Sequence, residues 1–224
     1  MTNIRKTILA DNQIYHIFNR AIDRQTIFTS KWEYKRAIET LKYYRFANLP
    51  FKFSQLLNLP EDDKQKIVLE LSQKNEKLVE FIAFCIMPNH FHFLVKQLKP
   101  NGISKFISDF TNSYTRYFNT KHERKGHLFE GLFKAVLVES DEQLIHLSRY
   151  IHLNPVVSFI IKQEELENYS WSSLPEYLSL NSENLCDKAL VMKMFPSLGD
   201  YKKFVTDQIK YAQELEKIKH LILE

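Results

Sequence analysis

Residues 90–97, "HFHFLVKQ", have a two-residue period of apolar and polar positions, clearest over residues 90–93, and this period predicts a β-strand with two different faces. His90 and His92 project to one face of the predicted strand, and Phe91 and Phe93 project to the other. The phenylalanine face is suited to a protein core. The pattern therefore predicts a core strand that carries two histidines on its other side.

Two further stretches of the chain also predict strands. In residues 13–20, "QIYHIFNR", a two-residue period places Ile14, His16 and Phe18 on one face and Tyr15 and Ile17 on the other, which predicts a strand buried on at least one face. Residues 78–87, "LVEFIAFCIM", form a continuous apolar run that is rich in branched and aromatic residues, as buried strands are. Only Pro88 and Asn89 separate this run from the histidine strand. We therefore expect the two strands to form an antiparallel pair.

The first helix is expected after Ser30, a residue type that often caps helices. We take Trp32, Ile38 and Leu41 as the apolar positions that this helix buries. Residues 48–78 resemble an insertion, since two prolines interrupt them and no strand pattern is present. Within it, the sequence "PEDD" at residues 60–63 is typical of a helix start.

A long helix is predicted over residues 103–122. Phe106, Phe110, Ser113 and Tyr117 are spaced as its inner face. The remaining predicted elements are a strand over residues 132–140, a helix that Ser140 begins and Pro155 ends, and a charged amphipathic helix over residues 199–224.

The order of these elements is typical of an α+β fold, with an antiparallel central sheet, helices packed on it and a ferredoxin-like arrangement. The chain has 224 residues, of which 44% are hydrophobic and 26% charged, ordinary values for a globular protein. We expect a core over residues 1–165, interrupted by the insertion at about 48–78, and a helical C-terminal extension over residues 166–224. No signal-peptide pattern or long apolar run is present, which predicts a cytoplasmic protein without a membrane span.

The net charge of +4 is unevenly distributed along the chain. Residues 1–60 carry ten basic and four acidic side chains, so this part has a net charge of +6. Aromatic residues make up 13% of the chain, and many stand beside cations, as in "KYYRF" at residues 42–46. Rings beside cations suit single-stranded nucleic acid. Solvated helix faces and an aromatic core would produce the same counts, so both interpretations stay open.

The histidine pair on the third strand is a candidate metal site. Side chains two residues apart on a strand start roughly 6–7 Å apart on the same face, so two imidazoles can approach one ion. A useful site also needs a third ligand and open positions for substrate. A half-buried strand with a polar face explains His90 and His92 as well, and the spacing alone leaves both interpretations open.

The helix over "HLSRYIHLNP" offers candidates for the rest of such a site. His146, Tyr150 and Asn154 are spaced four apart and form one polar stripe. If this stripe faced the histidine strand, a metal could polarise a phosphodiester while the tyrosine oxygen attacked phosphorus. A partly exposed helix with a polar side is the alternative.

Several segments together resemble the single-tyrosine HUH transposases, and most closely the REP-associated tyrosine transposase branch. The resemblance runs from about Tyr15 to Ser173. It rests on the segments "YHIFNRAIDRQTIF", "MPNHFHFLVKQ", "SYTRYFNTKHERKGHLFEGLFKAVLV" and "RYIHLNPV", followed by "YSWSS". It implies an HUH-endonuclease core that cuts and rejoins single-stranded DNA beside hairpins.

The resemblance also implies a role for individual residues. His90 and His92 match the histidine–hydrophobic–histidine motif that binds a divalent ion, Mg²⁺ or Mn²⁺. Tyr150 matches the nucleophile that retains the 5′ phosphate and leaves a free 3′ hydroxyl, and Asn154 matches the third metal ligand. Tyr114 and Tyr117 are competing nucleophiles, which we expect instead to pack or to stack on bases.

The matching segments also contain residues that we expect to contact single-stranded or hairpin DNA. They are polar, basic or aromatic: Asn19, Arg20, Arg24, Arg116, Lys134, Arg149 and Trp171. The chain departs from the family pattern at Phe129 and Leu132, where relatives often carry a tryptophan and an arginine. The loss of that arginine removes one expected phosphate contact.

Three functions remain as hypotheses. The first is a metal-dependent transposase that nicks and joins DNA as a monomer or homodimer, in the cytoplasm and associated with the nucleoid. The second is a catalytically inactive relative that binds hairpin DNA or RNA. The third is an unrelated metalloenzyme that uses the histidine pair for hydrolysis.

Overall fold

Four strands form the sheet, in the spatial order β2-β3-β1-β4. The computed structural model describes residues 7–222. Residues 1–6 and 223–224 lie outside this range, and with them Arg5 and Lys6 of the basic N-terminal part and the end of the predicted last helix. The strands are β1 (Ile14–Arg20), β2 (Val79–Met87), β3 (His90–Gln97) and β4 (Lys134–Leu137).

The sheet is antiparallel, as the sequence predicts. Strand β4 pairs with β1 in a register that places Phe18 opposite Lys134 and Tyr15 opposite Leu137. Pro88 and Asn89 alone connect β2 to β3, as expected for a tight hairpin.

Helices fill the spaces between and after these strands, which confirms the predicted α+β class. Within residues 7–222, no helix is long and apolar enough to cross a membrane. The helices are α1 (Lys31–Tyr44), α2 (Phe53–Leu56), α3 (Glu61–Lys74), α4 (Gly102–Lys121), α5 (Asp141–Val157), α6 (Leu174–Tyr177), α7 (Ala189–Met192), α8 (Leu198–Thr206) and α9 (Ile209–Ile222). Short 3₁₀ turns lie at Ile22–Arg24 and Gln163–Asn168.

The chain forms two compact units, and strands β2 and β3 contribute residues to both. Unit 1 comprises the described residues up to Glu80, together with Pro88–His90 and Val95–Leu137. Unit 2 comprises Phe81–Met87, Phe91–Leu94 and the described residues from Val138 onward.

Helices α1 and α4 pack against each other in unit 1. Tyr114 is fully buried in α4, its ring lies 4.7 Å from that of Phe28, and its hydroxyl donates to the Ile27 carbonyl oxygen. The predicted inner face was therefore wrong in its second half, because Tyr114 and Phe118 point inward where Ser113 and Tyr117 were expected. After Phe110, spacings of three and four both continue a helical face, and the larger side chains take the core.

A buried carboxylate anchors the start of α1 to the end of α4. Glu33 has no exposed surface. Its oxygens accept hydrogen bonds from the Thr29 amide and hydroxyl at 2.6 Å, from Lys121 Nζ at 2.7 Å and from His122 Nε2 at 2.7 Å. Burial alone would raise the pKa of this carboxyl, but the hydrogen bonds from Lys121, Thr29 and His122 outweigh burial and lower the pKa to about 2.

This depressed pKa predicts acid sensitivity of unit 1. A carboxyl whose pKa falls on folding stabilises the folded state above its unfolded pKa of about 4.3, and that contribution is lost as pH falls toward about 2. We expect Glu33→Gln to lower the free energy of unfolding at pH 7 by about 3 kcal/mol. Between pH 5 and pH 2.5, the variant should lose less stability than the wild type does.

Urea unfolding at several pH values measures this difference. Glu39→Gln is the matched control, because its carboxylate forms an exposed 3.9 Å ion pair with Lys35 and should change stability by less than about 0.5 kcal/mol. Equal acid-induced losses in Glu33→Gln and the wild type would contradict the assigned role of Glu33.

Gly102 begins α4 at a close approach to the backbone before β2. A Cβ atom added at Gly102 would clash with the Leu78 carbonyl oxygen, which is backbone and cannot rotate away. We expect Gly102→Ala to destabilise the protein by about 1–3 kcal/mol, as overpacking does. Gly131→Ala is the control, because nothing lies within 4 Å of a Cβ there. Urea unfolding that gives equal stability for the two variants would show that the backbone relaxes freely.

In unit 2, the segment after α5 covers β2, which is an edge strand of the sheet. The Ser173 amide donates to the Phe84 carbonyl oxygen at 3.0 Å. The Tyr169 and Tyr177 hydroxyls donate to backbone carbonyl oxygens of Ile86 and Ile82, at 2.9 and 2.8 Å. These hydrogen bonds dock residues 169–177 onto β2.

Three local predictions were wrong. Trp32 is 73% exposed and does not belong to the inner face of α1. Pro155 lies inside α5, which ends at Val157: proline has no N–H to donate to the carbonyl oxygen four residues earlier, and the helix stops within two residues of it. The last predicted helix is divided into α8 and α9 around Asp207.

Candidate active site

Tyr150 on α5 and His92 on β3 lie in direct ring contact within unit 2. Their ring centroids are 5.5 Å apart with an interplanar angle of 82°, an edge-to-face arrangement. His92 is 6% exposed, whereas Tyr150 is 47% exposed. The contact therefore joins a buried imidazole to a phenol that solvent and substrate can reach.

Asn154 lies one helical turn after Tyr150 and is buried. Its side-chain nitrogen donates to the Tyr150 carbonyl oxygen at 2.9 Å. This hydrogen bond fixes which end of the amide is the donor and leaves the amide oxygen as the atom that could bind a cation. Ser140 begins the helix by accepting a hydrogen bond from the Gln143 amide, which confirms the predicted cap.

His90 begins β3 and is described with unit 1. Its Nδ1 lies 2.6 Å from Asn89 Oδ1, and the side-chain nitrogen of Asn89 donates a hydrogen bond to the Arg24 carbonyl oxygen. Since this bond orients the Asn89 oxygen toward the ring, Nδ1 must carry the proton and Nε2 the lone pair. Burial, and secondarily the nearby charge of Arg20, lowers the pKa of His90 to about 4, so its imidazole is neutral at pH 7.

A buried hydrogen-bond network holds α5 from its other side. His152 is fully buried, with Nδ1 at 2.8 Å from the Tyr201 hydroxyl and Nε2 at 2.7 Å from the Ser173 hydroxyl. The Tyr201 hydroxyl donates to Ser148 at 3.1 Å. Burial lowers the pKa of His152 to about 3, so the imidazole is neutral. These contacts connect the helix of Tyr150 to α8 and to the segment that covers β2.

Imidazole nitrogens and an amide oxygen are atoms of the kinds that bind divalent ions. Among the side chains that the structure describes, those of residues 7–216, no three drawn from His, Cys, Asp and Glu converge as a metal site. The ligand set predicted from the sequence is two histidines and the Asn154 amide oxygen, and asparagine is not one of those four residue types. Mn²⁺ and Mg²⁺ prefer oxygen ligands, so water and phosphate oxygens would have to supply the remaining positions.

Tyr114 and Tyr117, the competing candidate nucleophiles, have surroundings that differ from those of Tyr150. The Tyr114 hydroxyl is buried and already donates to a backbone carbonyl oxygen, and burial raises its pKa well above the ordinary value. Tyr117 is partly exposed, and its ring lies between two cations, with Arg36 at 5.1 Å and Lys121 at 5.9 Å. Tyr114 therefore packs in the core, and Tyr117 presents a ring on the surface of unit 1.

The three predicted DNA contacts near the end of β1 differ in exposure. Asn19 is buried, and its side-chain oxygen accepts the Arg20 amide hydrogen at 2.9 Å. The Arg20 side chain pairs with Glu130 at 3.3 Å, with both side chains partly exposed. Arg24 is exposed and has a positive φ of 54°. Of these three residues, Arg24 is the most accessible to a DNA strand.

The other predicted DNA contacts lie on separate elements. In unit 1, Arg116 is exposed on α4, and exposed Lys134 on β4 lies 5.8 Å from the Phe18 ring centre. In unit 2, the Arg149 guanidinium stacks 4.3 Å from the Phe204 ring centre. The backbone carbonyl oxygen of Trp171 accepts a hydrogen bond from the Ile86 amide. Arg149 thus packs against another part of unit 2, and its contact with DNA stays a prediction.

Two residues that position others were not predicted from the sequence. Asn89 had been interpreted only as a turn residue, although a polar side chain directly before a candidate ligand is a sequence signal for a residue that orients that ligand. His152 lies two positions after Tyr150, and no pattern in the sequence distinguishes a buried helical histidine from an exposed one.

Comparison with known proteins gives one family and one fold. The family model described as IS200-like transposase matches residues 10–154. None of the curated proteins matches the chain. The solved structure of a REP-associated tyrosine transposase bound to a REP hairpin has a similar fold, with a TM-score of 0.54 and 14% identity over 83% of this chain and 90% of that chain. Because the family model spans well over half of the chain, and includes β3 and most of α5, the protein belongs to the IS200-like transposase family.

Proposed function

We propose that the protein nicks and rejoins single-stranded DNA beside hairpins through a covalent 5′-phosphotyrosine at Tyr150. The contact between Tyr150 and His92 carries this proposal, since it joins an exposed phenol to one imidazole of the histidine pair. His90, His92 and Asn154 would hold a divalent ion, Mg²⁺ or Mn²⁺. Family membership independently supports a transposase that acts on DNA.

The proposed step conserves its bonds and charges. The Tyr150 oxygen attacks phosphorus and loses its proton, the bond from phosphorus to the 3′ oxygen breaks, and the 3′ oxygen leaves as a hydroxyl after taking up a proton. The free 3′ hydroxyl can later attack the phosphotyrosine and restore a phosphodiester. Because both bonds are phosphate esters of similar energy, the strand can be rejoined without another energy source.

A divalent ion at this site would supply positive charge to the phosphate, and neutral imidazole and amide ligands would not cancel that charge. The chain's own residues orient the reacting groups. Asn89 holds the His90 ring, the His152 network holds α5, and the edge-to-face contact with His92 restricts the Tyr150 ring. Since His92 and Tyr150 meet within one chain, we infer that the tyrosine acts in its own subunit.

Hairpin DNA is the proposed substrate because the solved structure with a similar fold is a REP-associated transposase bound to a REP hairpin. Residues available for backbone contacts include exposed Arg24, Arg116 and Lys134. These side chains would position the strand and carry the salt dependence of binding.

The test is a covalent-adduct assay. The purified chain is incubated with a labelled hairpin that carries single-stranded flanks, in Mn²⁺ or in EDTA, and denatured before electrophoresis. We expect a protein–DNA adduct in Mn²⁺ and none in EDTA. Tight hairpin binding without an adduct under any divalent ion would favour the inactive, DNA- or RNA-binding alternative.

A further inference from the structure

A cleft of about 920 Å³ lies within unit 1, between α1, α4 and residues 48–55 at the start of the insertion. Its volume is near the upper end of the roughly 300–1,000 Å³ typical of ligand pockets. None of the four residues proposed for the chemistry is among those that line it. We refer to it as the insertion cleft.

The lining of the insertion cleft is strongly cationic, with five basic side chains and one carboxylate, Asp109. Two of the five cations are already paired, Lys105 with Asp109 at 2.9 Å and Lys121 with buried Glu33 at 2.7 Å. Neither Arg116 nor Lys52 forms an ion pair with any residue of the described range 7–222. The five basic residues are Arg36, Lys52, Lys105, Arg116 and Lys121. This excess of positive charge indicates an anionic ligand.

Arg36 adds a partly buried charge at the base of the cleft. Its guanidinium carbon lies 4.6 Å from the Phe53 ring centre and 5.1 Å from that of Tyr117. Its Nε is buried and has no hydrogen-bond partner among the described residues. Because burial removes part of the water around this charge, it lowers the pKa of the guanidinium below its ordinary value. Because water only partly screens this cation, it would attract a bound anion more strongly than an exposed cation would.

Aromatic rings line the same cleft. Phe51 is 42% exposed, and Tyr117 is partly exposed, while Tyr44 and Phe46 are buried. Exposed rings beside cations are the arrangement that binds unpaired nucleotides, because a base can stack while its phosphate meets the positive charge. A base within a duplex has no free face to offer, so the rings select an unpaired one.

We propose that the insertion cleft binds an unpaired nucleotide of a DNA strand. Its base would stack on Phe51 or Tyr117, and its phosphate would lie near Arg36, Arg116 and Lys52. This inference rests on the proposed function, which supplies the single-stranded DNA. It adds a strand-binding site built in part from the insertion, at residues that take no part in the proposed chemistry.

The test measures binding to a 12-nucleotide thymidine strand without a hairpin, in EDTA, so that nicking plays no part. By fluorescence anisotropy, Phe51→Ala should weaken binding about tenfold through lost stacking. Arg116→Ala should reduce the slope of log affinity against log salt by about 0.7, as expected for one lost phosphate contact. Lys35→Ala is the matched control, because this exposed cation of α1 does not line the cleft.

Photo-crosslinking locates the bound strand directly. A strand containing 5-iododeoxyuridine should crosslink to peptides that contain Phe51 or Tyr117. Crosslinks only to other peptides, together with unchanged affinity in both variants, would overturn the proposal. Displacement of the strand by free thymidine monophosphate at equal concentration would also overturn it, because the cleft would then be a site for a free nucleotide.

The outcomes separate this proposal from the proposed function. If a Tyr150-dependent adduct forms while the cleft variants bind the strand normally, the insertion cleft proposal alone fails. If the cleft variants lose affinity but no adduct forms under any divalent ion, the proposed function alone fails.

Discussion

Tyr150→Phe should abolish the covalent protein–DNA adduct, with a loss of at least about 10³-fold in the rate of its formation. Phenylalanine keeps the ring that meets His92 edge-to-face, so the packing of α5 should be preserved. Only the hydroxyl oxygen is removed, and no neighbouring atom replaces it as nucleophile. Hairpin affinity should change little, because the nucleophile contributes to reaction more than to binding.

Tyr211→Phe is the matched control, since Tyr211 is 60% exposed on α9 and has no proposed role. Its adduct yield should equal that of the wild type. Tyr117→Phe is the more demanding comparison, because Tyr117 is the partly exposed competitor on α4. A full adduct yield in Tyr150→Phe, or a loss in Tyr117→Phe alone, would transfer the nucleophile to another tyrosine.

His92→Ala should weaken Mn²⁺ binding by at least about tenfold and slow adduct formation by about 100-fold or more. The imidazole is a proposed ligand and also the ring on which Tyr150 rests, so both metal affinity and tyrosine position depend on it. Binding of Mn²⁺ is measured by electron paramagnetic resonance without DNA, which separates the metal from the reaction. Removing the ion with EDTA should abolish the wild-type adduct in the same way.

His127→Ala serves as the control because His127 is an exposed histidine in the loop before β4. His92 is buried, so circular dichroism must show that His92→Ala remains folded, and His92→Asn provides a smaller change at the same position. Unchanged Mn²⁺ affinity in a folded His92→Ala variant would remove this residue from the ligand set.

The sheet was predictable from the sequence because its strands follow simple rules. The alternation over residues 90–97 and the apolar run before it gave β3 and β2 within one residue of their observed limits. Pro88 and Asn89 then fixed their antiparallel pairing. The pairing of β1 with β4 lies beyond such reasoning, because those strands are more than 100 residues apart in sequence.

The candidate site was predictable in its residue types, and less so in its orientation. Residues four apart on a helix are rotated by about 40° from each other. A stripe of three such residues therefore winds gradually around the helix. Accordingly, His146 and Tyr150 are exposed, whereas Asn154 is buried. The pattern alone gave no means of deciding which end of the stripe would meet the histidine strand.

The insertion cleft could not be predicted, although Arg116 had been selected for DNA contact. Its lining comes from three segments that are separated in sequence, and cations on each resemble ordinary solvated helix residues. Tyr117 had been assigned to the core on spacing alone. Only the burial of Tyr114 shows that Tyr117 is turned outward, where it contributes to the cleft.

The central claim is that Tyr150 carries the DNA after the strand is cut. Its most direct test is mass spectrometry of the trapped wild-type adduct after digestion with nuclease and trypsin. We predict that the peptide containing Tyr150 carries a nucleotide through its 5′ phosphate and that the released DNA fragment ends in a 3′ hydroxyl. A nucleotide on any other residue, or a hydrolysed strand with no modified peptide, would contradict the account.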